Sequence, residues 1–217
     1  MSSAPTLVLA SASPARLATL RSAGLAPYVL VSGVDEVAAL HAYPDLAPDE
    51  VALVLARAKA EAVAAVLDGD DAPADAPASA LVLGCDSVLE LDGEAHGKPA
   101  DAAEATARWQ RMRGHSGVLH TGHWVVDVRD DGSAATLGAV ASTTVHFADV
   151  SDDEIAAYVA TGEPLAVAGA FTTDGLGGAF VRGIEGDHHT VVGVSLPLLR
   201  DLLGECGVPW PSLWARG

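Results

Sequence analysis

The chain has 217 residues, of which 50% are hydrophobic, and its 29 acidic and 12 basic residues give a formal net charge of −17. This length and apolar content allow one substantial domain with a packed core, and they exclude two independent enzymes and global disorder. An acidic chain without a basic-aromatic stripe repels nucleic acid and anionic membranes at long range, so a nucleic-acid-binding module is disfavoured.

The first predicted element is a strand at 6–10, which ends in a small-residue turn and is followed by a helix at 14–23. Ser13 can cap this helix, and a proline suits its first position because the missing N–H is not needed there. Several hydrogen-bond donors then converge just beyond the strand: the free N–H groups at the helix start, the hydroxyls of Ser11 and Ser13, and the guanidinium of Arg16. This arrangement favours an anion, most naturally a phosphate, although a serine cap by itself is common.

The later elements continue to alternate between strands and helices. Apolar runs with strand character lie at 28–32, 80–91, 117–128, 136–147, 180–184 and 190–192. Helical patterns lie at 48–67, 102–112, 151–162 and 196–205, and the third begins with a capping box of Ser151 and Glu154. An acidic stretch at 68–79 is predicted to be a flexible connection, and turns are predicted at 91–94 and 130–132. We therefore predict one α/β domain over 1–217, with a mixed twisted sheet and flanking helices.

Two charged residues stand where a purely structural role is hard to assign. Asp86 interrupts the apolar strand at 80–91, where a carboxylate is costly to bury without a partner, so it either caps a local turn or takes part in chemistry. Lys98 lies between Gly97 and Pro99, in a rigid turn where a surface lysine has no structural function. Both residues are therefore candidates for a reaction site.

An acidic pair and a helical lysine are weaker signals. Asp35 and Glu36 offer the oxygen ligands that Mg²⁺ or Mn²⁺ prefers, but a vicinal acidic pair in a loop is ordinary on its own. Lys59 lies in a helical pattern and either contacts phosphate as a point charge or belongs to a solvated helix face. Because the chain is strongly acidic, a site that handles phosphates needs its few basic residues and a bound divalent cation.

The histidines do not form a metal-binding pattern. His120 and His123 face opposite sides of their predicted strand, because they are separated by an odd number of residues, and His115 precedes them in a turn. No Cys/His zinc pattern and no P-loop occurs in the sequence. We interpret these residues, and the neighbours His188 and His189, as surface or core side chains.

Neither a leader nor a membrane span is indicated. Residues 1–5 have no basic residue, the apolar run that follows is too short for a leader, and no window approaches the length that spans a bilayer. Cys85 and Cys206 form no CxxC pair, so we expect two buried thiols in a reducing compartment. These features predict a cytoplasmic protein.

In their order and spacing, several segments of the chain resemble the Maf family of nucleoside triphosphate pyrophosphatases. The resemblance extends from about residue 6 to about residue 203. In addition to the positions already described, it includes the segments 84–87, 97–99, 117–122, 158–165, 168–171, 184–187 and 191–193. It implies two lobes around a central cleft, and hydrolysis of a nucleoside triphosphate to the monophosphate and pyrophosphate. It also implies a divalent cation, Mg²⁺ or Mn²⁺, and a house-cleaning role against non-canonical or modified nucleotides, with a link to arrest of cell division.

The resemblance also implies roles for individual residues. Asp86 matches the family's proton acceptor, and Lys98 is expected to act with it as a second catalytic residue. Glu36 is expected to bind the cation, with Asp35 beside it. The residues expected to contact the substrate are Ser11, Ser13, Arg16, Lys59, Ser87 and Asp174.

The chain departs from the pyrimidine-specific branch of that family at positions expected to set specificity. Ala15 stands where this branch has an arginine, Ser87 where it has threonine, and Asp174 where it has glutamine. A carboxylate only accepts hydrogen bonds and so matches the N1–H and N2–H₂ donors of guanine. The branch that acts on 7-methyl-GTP also has an acidic residue here. We therefore expect a guanine-like base rather than dTTP or UTP, although Ala15 and Ser87 match neither branch.

An alternative is a non-catalytic nucleotide-binding protein that regulates cell division with the same fold. Ala15 would support it, as would Ala166 and Val167, which replace an Asp-Lys pair of the pyrimidine-specific branch. The residues that argue against it are Ser11, Arg16, Glu36, Lys59, Asp86 and Lys98. In either case the expected partner is a nucleoside triphosphate, without nucleic acid or membrane, and the formation of a homodimer is left open.

Overall fold

The computed structural model describes residues 5–130, 132 and 134–215. The strands, in chain order, are β1 (Thr6–Leu9), β2 (Tyr28–Val29), β3 (Ala80–Leu91), β4 (Glu94–His96), β5 (Ser116–Asp127), β6 (Thr136–Phe147) and β7 (Val181–Glu185). The helices are α1 (Pro14–Ser22), α2 (Glu36–Leu40), α3 (Pro48–Asp68), α4 (Ala102–Met112), α5 (Asp152–Ala160), α6 (His188–Val192) and α7 (Leu196–Glu205). Short 3₁₀-helices lie at Glu163–Ala166, Ala168–Ala170, Leu176–Phe180 and Trp210–Leu213. No helix in the described ranges is long and apolar enough to cross a bilayer.

The strands form one mixed sheet. Its order is β2-β1-β3-β5-β6-β7, and β4 also pairs with β3. β1 runs parallel to β2 and β3, whereas the other neighbouring strands are antiparallel. The predicted α/β class, with a mixed sheet and flanking helices, is confirmed.

The long strand β3 has two different neighbours along its outer edge. β1 pairs with residues 80–83 of β3, and β4 pairs with residues 89–91. Between these two strands, residues 84–88 face no strand on this edge within the described part of the chain, and we term this interval the β3 notch. The turn that follows β1 and the start of α1 lie at its border, where the carboxyl end of a parallel strand favours ligand binding.

Helix α3 covers one face of the sheet, and two glycines allow its close approach. A Cβ atom at Gly84 would lie 2.1 Å from the main-chain oxygen of Ala56, and one at Gly122 would lie 2.3 Å from that of Ala52. Only glycine at these positions therefore lets α3 lie directly against β3 and β5. The same packing places Lys59 of α3 beside the β3 notch.

The opposite face of the sheet carries two separate hydrophobic cores. One core includes Leu83 of the sheet and Leu199 of α7, both fully buried. The other surrounds Trp109 of α4, which makes edge-to-face contacts with Phe147 at 5.8 Å and Tyr158 at 5.5 Å. Such a pair stabilises a core by about 0.5–1.5 kcal/mol beyond its buried area.

A polar layer separates these two cores. Ser87 of β3 and Thr121 of β5 are paired across the sheet, and both side chains are buried. Two cores on either side of a polar layer correspond to the two lobes that the resemblance implied.

Several predicted boundaries are confirmed because their signals are local. The limits at Ala80–Leu91, Ala102–Met112, Thr136–Phe147 and Leu196–Glu205 coincide with the prediction. The capping box of Ser151 and Glu154 is present at the start of α5. The turn between β3 and β4 has positive φ at Asp92 and Gly93, 53° and 82°, which a tight two-residue hairpin requires.

One predicted strand is wrong. Residues 190–192, which are β-branched, lie in helix α6, because Asp187 caps this helix by accepting a hydrogen bond from the His189 N–H at 3.0 Å. The predicted strand at 28–32 is shorter, and it is followed by the unpredicted helix α2, which Asp35 caps through the Ala38 N–H at 3.0 Å. The predicted turn at 130–132 includes residue 131, which lies outside the described residues.

Candidate active site

Asp86 and Lys59 form an ion pair at the β3 notch. Lys59 approaches from α3 and contacts the Asp86 carboxylate, and each side chain is 12% exposed. The same ammonium lies 2.7 Å from Oε1 of Glu36, whose side chain is 53% exposed. One lysine therefore connects a buried carboxylate with a solvent-accessible one. In the described structure Asp86 does not cap a turn but pairs with Lys59, and its role in chemistry stays a prediction.

The pKa of Asp86 reflects two opposing effects. Burial raises the pKa of its carboxyl above the usual value, while the positive charges of Lys59 and Arg16 act to lower it. Burial is the larger effect, so the net direction is upwards. A carboxylate with a raised pKa is a stronger base than one in water, which suits a group that accepts a proton near neutral pH.

Arg16 enters the notch from the first turn of α1 on the other side of β3. It is 9% exposed, and its Nε donates to the main-chain oxygen of Gly193 at 2.8 Å. Its two terminal nitrogens donate to the hydroxyls of Ser11 and Ser87, each at 3.1 Å. In the described residues, no carboxylate pairs with this guanidinium. A buried cation that has only neutral acceptors is a favourable place for an anionic ligand.

The hydroxyls around Arg16 are not equivalent. Ser11 Oγ accepts hydrogen bonds from Arg16 and from the Ser13 N–H at 3.2 Å, so its own proton is available to a ligand. Thr121 donates its proton to the main-chain oxygen of Thr190 at 2.8 Å. Ser87 must then be the donor in its 2.8 Å hydrogen bond to Thr121, and its proton is already used. In this arrangement Ser11 is available for direct contact, whereas Ser87 orients Arg16.

The other predicted residues near α1 and α2 lie at the starts of these helices. The Ser13 hydroxyl caps α1 by accepting a hydrogen bond from the Arg16 N–H at 3.3 Å, as predicted. Ala15 follows in the same turn, where it offers no side-chain donor to the notch. Asp35 uses Oδ1 to cap α2, and its remaining oxygen is solvent-accessible beside Glu36.

Lys98 lies in an exposed turn that other parts of the chain hold in place. The main-chain oxygen of Gly97 accepts hydrogen bonds from Arg108 at 2.5 Å and from the Gly169 N–H at 3.1 Å. Gly169 in turn lies against Leu89, since a Cβ atom there would be 2.8 Å from the Leu89 Cβ. Leu89 is the next residue after Ser87 on the same face of β3. The Lys98 turn and the 3₁₀-helix that contains Gly169 therefore lie at the far end of the notch.

Asp174 lies in the loop that follows this 3₁₀-helix and is exposed to solvent. Within the described residues, neither Asp174 nor Lys98 has a hydrogen-bond or ion-pair partner. Ala166 is exposed, and Val167 is half-buried at the start of the same region. The structure thus groups Asp86, Lys59, Glu36, Arg16 and Ser11 closely. It leaves Lys98 exposed at the far end of the notch and Asp174 exposed on the loop that follows the 3₁₀-helix.

The interpretation of His123 as a core residue is confirmed. Its Nδ1 donates to the main-chain oxygen of Thr121 at 3.0 Å, and its Nε2 accepts from the Ser195 N–H at 2.8 Å. Burial lowers its pKa to about 4, so the ring is neutral near pH 7. His120 faces the other side of the sheet, as predicted, where it contacts Glu90 at 2.8 Å.

Glu36 and Asp35 are solvent-accessible carboxylates, the donor type that Mg²⁺ and Mn²⁺ prefer. A different group of potential ligand atoms, all within 4.8 Å of one another, lies at Asp187, His188 and His189. The Asp187 carboxylate already accepts hydrogen bonds from the main chain and ring of His189, each at 3.0 Å, so helix capping accounts for that group.

Three residues of the site region were not indicated by the sequence analysis: Thr121, Glu163 and Gly193. All three lie inside segments that carried the resemblance, but the contacts of Thr121 and Gly193 depend on partners distant in the sequence. Gly193 bonds to Arg16 across 177 positions, for example. Only the mutual spacing of these segments could have drawn attention to them.

Comparisons with known proteins agree with this description. The family described as Maf-like protein matches residues 6–206. The chain is 63% identical over 213 residues to the nucleoside triphosphate pyrophosphatase of Salinispora tropica, covering 97% of this chain and 88% of that protein. It is 58% identical over 209 residues to the protein of the same name from Streptomyces coelicolor, covering 96% and 94%. A third relative with this name, from Leifsonia xyli, is 51% identical over 214 residues, covering 97% of each chain.

Proposed function

The chain belongs to the Maf family, and we propose that it hydrolyses a nucleoside triphosphate to the monophosphate and pyrophosphate. One observation carries the proposal. At the β3 notch, the buried Asp86 and its partner Lys59 lie on one side of the strand, and Arg16, which forms no ion pair within the described residues, lies on the other. A base and an anion-binding cation are thereby held at one opening of the sheet.

The phosphate chain is proposed to lie between Arg16 and Lys98. Arg16 would donate to phosphate oxygens with the hydrogens that its neutral partners leave free, and Ser11 would donate its unused hydroxyl proton. Ser13 would contribute the start of α1, where N–H groups favour negative charge. Lys98, exposed at the far end of the notch, would neutralise the phosphate that leaves.

Asp86 is proposed to accept the proton of the attacking water. The water oxygen forms a bond to the α-phosphorus, and the bond from that phosphorus to the bridging oxygen of the β-phosphate breaks. The electron pair leaves with pyrophosphate, and the water proton passes to the Asp86 carboxylate. Lys59 is suited to hold this carboxylate in place and to stabilise its ionised form, since it contacts Asp86 directly.

A divalent cation is proposed at Glu36, with Asp35 beside it. Arg16, Lys59 and Lys98 are balanced by Asp86, Glu36 and Asp35, so these side chains together supply no net positive charge for a triphosphate. Glu36 is half exposed and bound only to Lys59 among the described residues, so its carboxylate is accessible to Mg²⁺ or Mn²⁺. When bound, such an ion offsets phosphate charge and polarises a phosphoryl oxygen.

We further propose a guanine-like base, such as that of 7-methyl-GTP, in preference to dTTP or UTP. The support is Asp174, an exposed carboxylate with no partner in the described part of the chain, which offers only acceptors. We also propose that the enzyme removes modified or non-canonical nucleotides, with a link to arrest of cell division, as the family resemblance implies. A cytoplasmic location is proposed from the sequence features of the chain.

The test is pyrophosphate release from a panel of canonical and modified nucleoside triphosphates with Mg²⁺ or Mn²⁺. We expect Asp86→Asn to lose about a hundredfold or more of the rate. Asp101→Asn is the matched control, because Asp101 caps α4 through the Glu104 N–H at 2.8 Å. If no nucleotide is hydrolysed but one is bound, the non-catalytic alternative is correct, and Ala15 and Val167 would account for it.

A further inference from the structure

Glu163 accepts four hydrogen bonds that join one loop to helix α5. Oε1 accepts from the hydroxyl of Tyr158 at 2.9 Å, from the hydroxyl of Thr172 at 2.6 Å and from the Gly177 N–H at 3.0 Å. Oε2 accepts from the Leu176 N–H at 3.0 Å. Three of the four donors belong to the loop 172–177. This loop has no regular secondary structure before the 3₁₀-helix that begins at Leu176. The conformation of this loop therefore depends on one carboxylate.

Two glycines of the loop have no room for a side chain because of this arrangement. A Cβ atom at Gly175 would lie 2.6 Å from Oε2 of Glu163. One at Gly177 would lie 2.4 Å from the hydroxyl oxygen of Tyr158. The loop thus fits closely around the Glu163 carboxylate and the Tyr158 hydroxyl. This close fit is a second observation, separate from the hydrogen bonds.

The ionisation of Glu163 agrees with this arrangement. Burial acts to raise its pKa, but the hydrogen bonds from Thr172, Leu176, Gly177 and Tyr158 outweigh burial and lower it to about 2. The carboxylate is therefore charged at any pH at which the protein would be assayed. Hydrogen bonds to a charged acceptor are stronger than those to a neutral one.

The loop begins at the candidate active site and carries Asp174 between its attached residues. Its N-terminal side continues from Gly169, which is bonded to the Lys98 turn and packed against Leu89 next to the β3 notch. Thr172 and Leu176 are both fixed by Glu163, and Asp174 lies midway between them, exposed and without a side-chain partner in the described part of the chain. The two sides of the loop around Asp174 are therefore held by the same group.

We infer that Glu163 is a positioning residue for base selection: it fixes the loop 172–177 so that the Asp174 carboxylate is presented to the nucleotide base before the substrate arrives. This inference rests on the proposed function, in which Asp174 contacts the base. Glu163 itself touches neither the phosphates nor the reacting atoms in this assignment. Its removal should affect recognition of the base and spare recognition of the phosphates.

Glu163→Gln is the informative variant. A glutamine would keep its oxygen at the Oε1 position, where three donors converge, and would place its NH₂ group opposite the Leu176 N–H. The variant then loses one hydrogen bond, to Leu176, and weakens the other three by removing the charge. We expect the Leu176 amide to exchange with solvent about tenfold faster or more, as measured by NMR.

Binding is measured by calorimetry with three probes in the presence of Mg²⁺. These are the α,β-methylene analogues of GTP and of UTP, which are not cleaved, and inorganic tripolyphosphate, which has no base. In Glu163→Gln we expect the analogue that the wild type prefers to bind about tenfold more weakly. The ratio between the two analogues should shrink accordingly, while the affinity for tripolyphosphate changes by less than about twofold.

Glu154→Gln is the matched control, because Glu154 caps the other end of α5 by accepting from the Ser151 N–H at 2.7 Å. It should leave all three affinities unchanged. If Glu163→Gln does not fold, Thr172→Val serves in its place, since it removes one of the three loop donors and keeps the carboxylate.

Two results would overturn the inference: unchanged exchange at Leu176, or a loss of tripolyphosphate affinity equal to the loss for the nucleotide analogues. The second result would show a general structural effect. These measurements do not require turnover. Absence of pyrophosphate release by the wild type would contradict the proposed function, whereas the binding ratios decide the role of Glu163.

Discussion

Glu36 and Lys59 form an ion pair of 2.7 Å between two different helices, and the lysine of this pair also contacts the buried Asp86. A cation that binds the Glu36 carboxylate must compete with the Lys59 ammonium for it. Lys59 would then form its ion pair with Asp86 alone. Occupation of the proposed metal site and the electrostatic environment of the proposed base are therefore linked through one side chain.

The first prediction concerns this link. Glu36→Gln replaces a charged oxygen donor by a neutral one, so the Mg²⁺ concentration for half-maximal activity should rise about tenfold or more. Glu61→Gln on α3 is the control, because Glu61 pairs, among the described residues, only with the exposed Arg57 at 2.8 Å. Titration of activity with Mg²⁺ and Mn²⁺ measures the effect. An unchanged metal requirement in Glu36→Gln would show that Glu36 is not a ligand.

The second prediction concerns the shape of the cation at position 16. Arg16→Lys keeps the charge but cannot donate to Gly193, Ser11 and Ser87 at the same time, so the ammonium will not be held at the notch. We expect kcat/KM to fall about a hundredfold, which corresponds to the loss of one or two charge-assisted hydrogen bonds. Arg57→Lys, at an exposed position on α3, is the control. Steady-state kinetics measures this effect. Equal kcat/KM values for Arg16→Lys and the wild type would show that Arg16 is not part of the site.

Local signals in the sequence predict the ends of most helices and strands, whereas features that depend on tertiary contacts leave no such signal. The strand Ala80–Leu91 and the helix Leu196–Glu205 could be delimited because apolar runs, caps and turn residues mark their ends. Residues 190–192 are β-branched and favour a strand by propensity, but a cap at Asp187 places them in a helix.

The same contrast between local signals and tertiary contacts applies to the candidate site. Asp86 was noticeable because a carboxylate inside an apolar strand requires an explanation, and the structure gives Lys59 as its partner. That Arg16 is oriented by Ser87 and Gly193 could not be predicted, since these contacts span 71 and 177 positions. The role of Glu163 was hidden for a related reason: its donors come from a loop whose conformation follows from glycines and not from a periodic pattern.

The third prediction concerns the close packing of α3. Gly84→Ala would place a Cβ atom 2.1 Å from the main-chain oxygen of Ala56, so α3 must move away from β3. We expect a loss of about 3 kcal/mol in the free energy of unfolding. Activity should fall as well, because the same movement separates Lys59 from Asp86.

The control is Gly204→Ala in α7, where an added Cβ atom would have no described atom within 4 Å apart from its chain neighbours and the backbone of its own helix. Because alanine favours helix over glycine, this variant should be more stable by about 0.5–1 kcal/mol. Urea denaturation measures both changes. Equal stability of Gly84→Ala and wild type would contradict the description of α3 packed directly on the sheet.

The fourth prediction concerns stability below neutral pH. Burial lowers the pKa of His123 from 6.5 to about 4, so the unfolded chain takes up a proton in this range before the folded protein does. Stability therefore falls as pH decreases from 6.5 towards 4, and the contribution of this residue amounts to roughly 3 kcal/mol. Denaturation by urea at several pH values measures it.

His123→Gln tests whether this residue is the cause. Glutamine can still accept the hydrogen bond from the Ser195 N–H, but it does not titrate. The variant should be less stable than the wild type at pH 7, and its stability should change less between pH 6.5 and 4. An identical pH dependence in both proteins would assign the acid sensitivity to other groups.

The fifth prediction concerns the base. Asp174→Gln replaces a group that only accepts hydrogen bonds by one that offers a donor and an acceptor, which matches the imide edge of uracil or thymine. If Asp174 contacts the base, the ratio of kcat/KM for GTP to that for UTP should fall by about tenfold to a hundredfold, since a two-bond contact contributes about 1–3 kcal/mol of discrimination. Asp174→Ala should lower the rate with GTP without raising the rate with UTP, because alanine offers neither donor nor acceptor. The two variants together separate a change of preference from a loss of binding. A ratio that is the same in the wild type and in both variants would mean that the base is selected elsewhere in the cleft.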